Sequence, residues 1–222
     1  MRLFLNNLII FIFICWPLHG EEIKKNYIIK VSGIKIGELS WEMKMSADNY
    51  TNRLKLKSKG LISGLYNFEG NYFSEGNNNK SELYSKKYTH FWQTKKNIKK
   101  MELSFSKNKL VKINQEPLEE EKIRLNVFNV KNTSDPLTSF LKIIMGKKNV
   151  RVVDGRRLYT MEAESDKDTN QTTIKISNYY NLWADHKRNK FEKIIFEKKT
   201  NEILPFKMLI FFDGRVFVLE EN

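Results

Sequence analysis

Strict alternation of apolar and polar residues is what most limits how this chain can fold. Leu39, Trp41, Met43 and Met45 share one face of a run whose other face is Ser40, Glu42 and Lys44. Side chains return to the same face at every second residue only in a β-strand, so this run is a strand with one buried face. The pattern recurs in Leu54-Leu56, Met101-Leu103-Phe105, Ile123-Leu125-Val127 and Met208-Ile210-Phe212. Tyr27 to Val31, Arg151 to Val153, Thr172 to Ile176 and Lys193 to Phe196 are further strand-like runs. Together they predict about ten strands. Asp213-Gly214 and Asp154-Gly155 each stand between two such runs, and Asp-Gly favours the positive φ angles of a two-residue type I′ hairpin. Asn77-Asn78-Asn79, Lys147-Lys148-Asn149 and Asp166 to Asn170 are expected to be loops.

One segment departs from this period. Ser134-Asp135-Pro136 carries a helix N-cap signal with proline in the first turn, and Leu137, Phe140, Leu141 and Ile144 then recur at helical spacing before Gly146. A helix this short needs a surface to lie on. The fold expected is therefore mainly β: a single antiparallel sheet curved into a barrel or half-barrel, with one short helix, Ser134 to Met145, packed on its concave face or mouth. Such curvature shortens or closes the exposed edges of a sheet. At 222 residues, with 10 Gly, 4 Pro and one Cys, the chain is neither collagenous, low-complexity nor a disulfide scaffold. No linker composition divides it, so residues 21–222 are expected to form one domain.

Residues 1–20 are set apart. Met1-Arg2 precede an uncharged, strongly apolar stretch that runs through Leu8 to Trp16, then Pro17-Leu18-His19-Gly20 and the polar Glu21-Glu22. This is the layout of a secretory signal peptide cleaved after Gly20, which predicts export to the periplasm of a Gram-negative-type bacterium. The alternative is an uncleaved N-terminal membrane anchor. Cys15 does not suit lipoprotein processing, because Ile12-Phe13-Ile14 before it are bulky. Once residues 1–20 are gone no cysteine is left, which removes disulfides, thiolate catalysis and cysteine-ligated metals together.

The formal charge is +13, and losing Arg2 lowers it by one. Lys (31) far exceeds Arg (8), the residue that grips phosphate bidentately. The densest basic run, Lys86 to Lys112, holds Tyr88, Phe91 and Trp92 among its lysines, which suits single-stranded nucleic acid and a sheet with buried aromatics equally well. For an exported protein the expectation is no nucleic acid and a solvated basic face, with an anionic membrane surface as the partner such a face would meet.

No catalytic constellation stands out, and the chain is expected not to be an enzyme, with no cofactor and no metal. His90 and His186 are far apart; His90 reads as a packed strand residue, and Asp185-His186 as an exposed turn. Gly60-Leu61-Ile62-Ser63-Gly64 puts its serine one place too late for a nucleophile elbow. Glu119-Glu120-Glu121 after Pro117 is expected to be a solvated turn. Asp154-Gly155-Arg156-Arg157 contains an adjacent arginine pair able to grip a phosphate or carboxylate, though a hairpin with solvated arginines is the plainer reading.

Several of these segments also occur in a familiar order: Tyr27 to Gly37, Lys59-Gly60-Leu61, Asp135-Pro136-Leu137-Thr138-Ser139-Phe140, Val153 to Tyr159 and Leu204-Pro205-Phe206. In that order the sequence resembles the exported bacterial family called domain of unknown function 3108, over nearly all of residues 21–222. Many members carry a cysteine in the strand near Tyr179 to Trp183; none stands here, so the resemblance implies no disulfide or redox role. The family has no established activity. What the resemblance implies is a periplasmic antiparallel β fold similar to the curved sheets of lipoprotein carriers. A concave sheet must be filled by helix, side chains or ligand, and Trp41, Phe68, Trp92 and Phe140 are the candidate lining of a groove for an apolar ligand such as an acyl chain or lipoprotein. The alternative is a cell-envelope structural or interaction protein with a fully packed core and a protein partner.

Overall fold

The computed structural model describes residues 20–59, 67–80, 82–166, 169–183 and 190–222. The expected signal segment apart from Gly20, the Gly60 to Gly64 motif and the Asp185-His186 pair lie outside the described residues. Fourteen strands form one sheet. The first seven are β1 (Glu21–Val31), β2 (Ile34–Met45), β3 (Asn49–Ser58), β4 (Phe68–Asn79), β5 (Glu82–Thr94), β6 (Ile98–Ser106) and β7 (Lys109–Glu116). A two-residue strand, β8 (Thr133–Ser134), leads into the helix α1 (Pro136–Ile144). The sheet is completed by β9 (Asn149–Val153), β10 (Arg157–Asp166), β11 (Gln171–Asn181), β12 (Phe191–Glu197), β13 (Lys207–Phe212) and β14 (Arg215–Glu221).

The spatial order is β7-β6-β5-β4-β3-β2-β1-β14-β13-β12-β11-β10-β9-β8. Sequence neighbours pair as antiparallel hairpins, β1 joins β14, and only β8 runs parallel to its neighbour β9. The two ends of the sheet, β7 and β8, curl towards each other. No ladder joins them, but Thr133 N donates to Asn108 O at 3.0 Å. The seam is filled by the segment between β7 and β8, where Ile123-Leu125-Val127, expected as a strand, is instead irregular and ends in a 3-10 turn at Val127–Asn129. Val127 is fully buried, and Ile123, Leu125 and Val130 pack with Leu103, Phe105, Leu110, Val153 and Leu182. The fold is thus a nearly closed barrel with one short α-helix among the described residues.

The expected count of about ten strands is corrected to fourteen. The strands that escaped the apolar pattern have polar inward faces. Ser74 on β4 and Ser85 on β5 point inwards and are buried, because the polar N-terminus of α1 lies against them. Asn77, Asn78 and Asn79, expected as a loop, pair with Tyr84, Leu83 and Glu82 as the end of β4. Asp213 and Gly214 both have positive φ, as a type I′ hairpin requires. The other hairpin differs from expectation. Its two-residue connection is Gly155-Arg156, one place further on, with positive φ at Gly155 and Asp154 N bonded to Arg157 O.

The helix lies inside the barrel. Its cap is Asp135, whose Oδ1 accepts from Thr138 N at 2.9 Å. The Asp135 carboxylate is fully buried, and its Oδ2 accepts from Ser85 Oγ at 2.6 Å and Thr138 Oγ1 at 2.5 Å. Tyr50 OH, 2.6 Å from Thr138 Oγ1, completes the network. Beyond the cap, Phe140, Leu141 and Ile144 join the main core with Tyr27, Trp41, Met43 and Phe196. Gly146 at φ +99° ends the helix in the conformation that glycine adopts at least cost.

Candidate cavity site

The helix does not fill the barrel. Beside it lies a cavity of about 610 Å³. Its floor is Pro136, Leu137 and Phe140 of α1, and one wall is Leu39 and Trp41 of β2 with Leu54 and Leu56 of β3. The opposite wall is Tyr159 and Met161 of β10, Ile194 of β12, Met208 and Ile210 of β13, and Leu219 of β14. Leu54, Leu56, Tyr72, Ile210 and Phe217 are only partly buried although they sit on inward positions, because they line this cavity.

The charged residues of the cavity cluster on one side, at the β5–β6 hairpin and the β9–β10 hairpin: His90, Lys99, Lys100, Asp154, Arg156 and Arg157. The β9–β10 hairpin is held in place by Asp154, whose Oδ1 accepts from Arg156 N at 2.9 Å and Arg157 N at 2.7 Å. Trp183 Nε1 donates to Gly155 O at 2.9 Å. Gly155 stands at φ +88°, a conformation that other residues rarely adopt, and its turn packs against the Met101 side chain of β6. Burial pushes the Asp154 carboxyl above its usual range, opposed by Arg157 and by the two backbone donors. Arg156 Nη1 stands 2.6 Å from Glu119, and Arg157 Nη1 stands 3.7 Å from Asp154. The arginines expected to be solvated thus stand, about one third exposed, on the cavity wall.

His90 stacks on Tyr72 with ring centroids 4.4 Å apart. Burial, then the charges of Lys99, Arg156 and Arg157, lower its pKa to about 4, so it is neutral at physiological pH. Among the described residues its buried Nε2 has no hydrogen-bond partner, nor has Oε1 of Gln115, in the row His90-Met101-Gln115 across β5, β6 and β7. A second cavity of about 360 Å³ adjoins this row and shares His90, Lys100 and Met101 with the first.

Of the four aromatics singled out in the sequence, Trp41 and Phe140 meet at the large cavity, ring centroids 5.7 Å apart, with Trp41 Nε1 bonded to Asn52 Oδ1 at 2.6 Å. Phe68 and Trp92 stack on each other at 5.3 Å beyond the Tyr72–His90 pair, outside the residues that line it. Most of the lining was invisible as a site in sequence, since a half-buried Leu54 or Ile210 has the same alternation as a core residue. The adjacent arginines of a short hairpin were the one distinctive signal. Among the described residues no group of His, Cys, Asp and Glu is arranged to hold a metal ion, and no helix is long and apolar enough to cross a membrane.

No family model matches the sequence. No curated protein matches it either. The structure is similar to the crystal structure of a β-barrel-like protein of domain of unknown function DUF1849 from Brucella abortus, with a TM-score of 0.51 and 14% identity over 92% of this chain and 96% of that one. At that identity the likeness is one of fold.

Proposed function

We propose that this chain is an exported, periplasmic binding protein that takes up the apolar part of a lipid or similar ligand inside its barrel, with no covalent step. The observation that carries this reading is the cavity of about 610 Å³ beside α1. Its size falls within the roughly 300–1,000 Å³ of small-molecule sites, and its walls are mostly Leu, Ile, Met and aromatic side chains around a few polar groups. The cavity is large and open enough to admit water, so a ligand that covers its apolar walls removes that surface from water, which is favourable. Ligand burial contributes about 25 cal/mol per Å² of apolar surface. The N-terminal segment supports export, and the basic exterior suits an anionic membrane surface as the place of loading.

The test is native mass spectrometry, with organic extraction, of residues 21–222 purified after export in a bacterial host. A stoichiometric lipid adduct is expected. An apo mass that stays unchanged after incubation with envelope lipids would overturn the reading in favour of an envelope interaction protein.

A further inference from the structure

Resting on that binding reading, we propose that the ligand is a single-chain anionic amphiphile: one acyl or alkyl tail in the cavity, and a carboxylate or phosphate head held by Arg156, Arg157 and Lys99. The argument begins with volume. A methylene takes about the space of a water molecule, whose share of the liquid is about 30 Å³. The 610 Å³ cavity therefore holds on the order of twenty such groups, one long chain with its head and not the two chains of a diacyl lipid.

Charge then selects the head. Four cations line the cavity, Lys99, Lys100, Arg156 and Arg157, against one carboxylate, Asp154. Two of the four have close partners outside the lining: Lys100 with Glu116 at 2.8 Å, and Arg156 with Glu119 at 2.6 Å. Lys99 has no ion pair among the described residues, and Arg157 lies 3.7 Å from Asp154, beyond hydrogen-bond length. A guanidinium offers five donors, so Arg156 keeps most of its fork free even with Glu119 engaged. A neutral tail entering alone would strip water from these cations and return nothing, a net cost. An oxyanion at the same place accepts their hydrogen bonds, and charge-assisted bonds of this kind are the stronger ones. Asp154 contributes by position: its bonds to Arg156 N and Arg157 N aim the arginine pair at the cavity.

Calorimetric titration of residues 21–222 with tetradecanoate, tetradecyl phosphate, tetradecanol and tetradecyltrimethylammonium, each below its micellar concentration, tests this. The two anions are expected to bind with one-to-one stoichiometry and about 10- to 100-fold more tightly than the alcohol. The tighter of the two anions identifies the head. That advantage should shrink as salt rises, and it should vanish in Arg156→Gln/Arg157→Gln with the alcohol's affinity unchanged. Lys99→Gln, at an exposed position, gives a partial loss and guards against a double variant that fails to fold. If alcohol, cation and anions bind equally well, or the variants leave the preference intact, the charged-head inference is overturned while the binding reading stands. If none of the four binds, the binding reading itself is overturned.

Discussion

His90 shows most directly how a residue on the inner face of this barrel behaves. Its ring is stacked on Tyr72 and held neutral, with burial as the first cause and the Lys99, Arg156 and Arg157 charges behind it. The unfolded chain takes up a proton at this side chain as pH falls through 6.5, whereas the folded chain resists until about 4. Stability contributed by His90 is therefore intact above pH 6.5 and is lost as pH falls towards 4, by up to about 3 kcal/mol. Urea midpoints measured from pH 7 to 4 should fall less steeply in His90→Phe, which keeps a ring against Tyr72 and removes the titration. Equal slopes in the two proteins would show that the ring is not buried as described. In sequence His90 was legible as an inward-facing strand residue, because its neighbours Tyr88 and Trp92 share its face. That it stands beside two arginines from sequence positions 156 and 157 was not legible, since only closure of the sheet brings β5 and the β9–β10 hairpin to one cavity.

The same distinction holds for α1. Its existence and boundaries follow from local chemistry: an Asp-Pro start, an apolar stripe and a stop glycine, and the helix expected over Ser134 to Met145 is found as Pro136–Ile144. Its position inside the barrel follows from Asp135. That carboxylate caps the helix and accepts hydroxyl donors from Thr138, Ser74 and Ser85, tying the helix to β4 and β5. Desolvation raises its pKa and the hydroxyl and backbone donors oppose the rise, so the network offsets part of the cost of burying the group. Replacing Asp135 by Ala removes the cap and leaves Ser85 without its carboxylate acceptor, while Ser74 keeps Thr138 Oγ1 at 2.7 Å as a partner. The expected loss is about 3 kcal/mol, read as a lower urea midpoint at unchanged slope. A loss below about 1 kcal/mol would mean that the helix is held by its apolar face alone. The polar inward faces of β4 and β5 make sense only beside this helix, which is why a count based on apolar alternation fell short of fourteen strands.

At the scale of the molecule, the barrel is a meander whose long hairpins meet at a seam without a ladder. β1, β2 and β14 are paired on both sides, whereas β7 and β8 touch through Thr133 N to Asn108 O and through Val127 and its neighbours. Local opening should begin where paired backbone is sparsest. Hydrogen exchange is therefore expected to show β7 and residues 123–133 opening at a lower free energy than β1, β2 and β14. Tetradecanoate, if bound in the cavity, should raise protection at the β9–β10 hairpin. Uniform protection around the barrel would instead mean that the seam unfolds only with the whole.

What the sequence determined by itself is local in origin: the β period, the hairpin turns, the capped helix and the inward placement of Trp41 and Phe140. Each rests on interactions within a few residues, or on a burial pattern that one strand carries alone. Only the tertiary structure decided that the sheet closes to a seam and that the helix, expected on the concave face or mouth, leaves a cavity with arginines on its wall. Those outcomes depend on the difference between the enclosed volume of fourteen strands and the volume of the side chains that point into it. No short stretch of sequence contains that difference, because a leucine facing a void and a leucine facing a neighbour are written the same way.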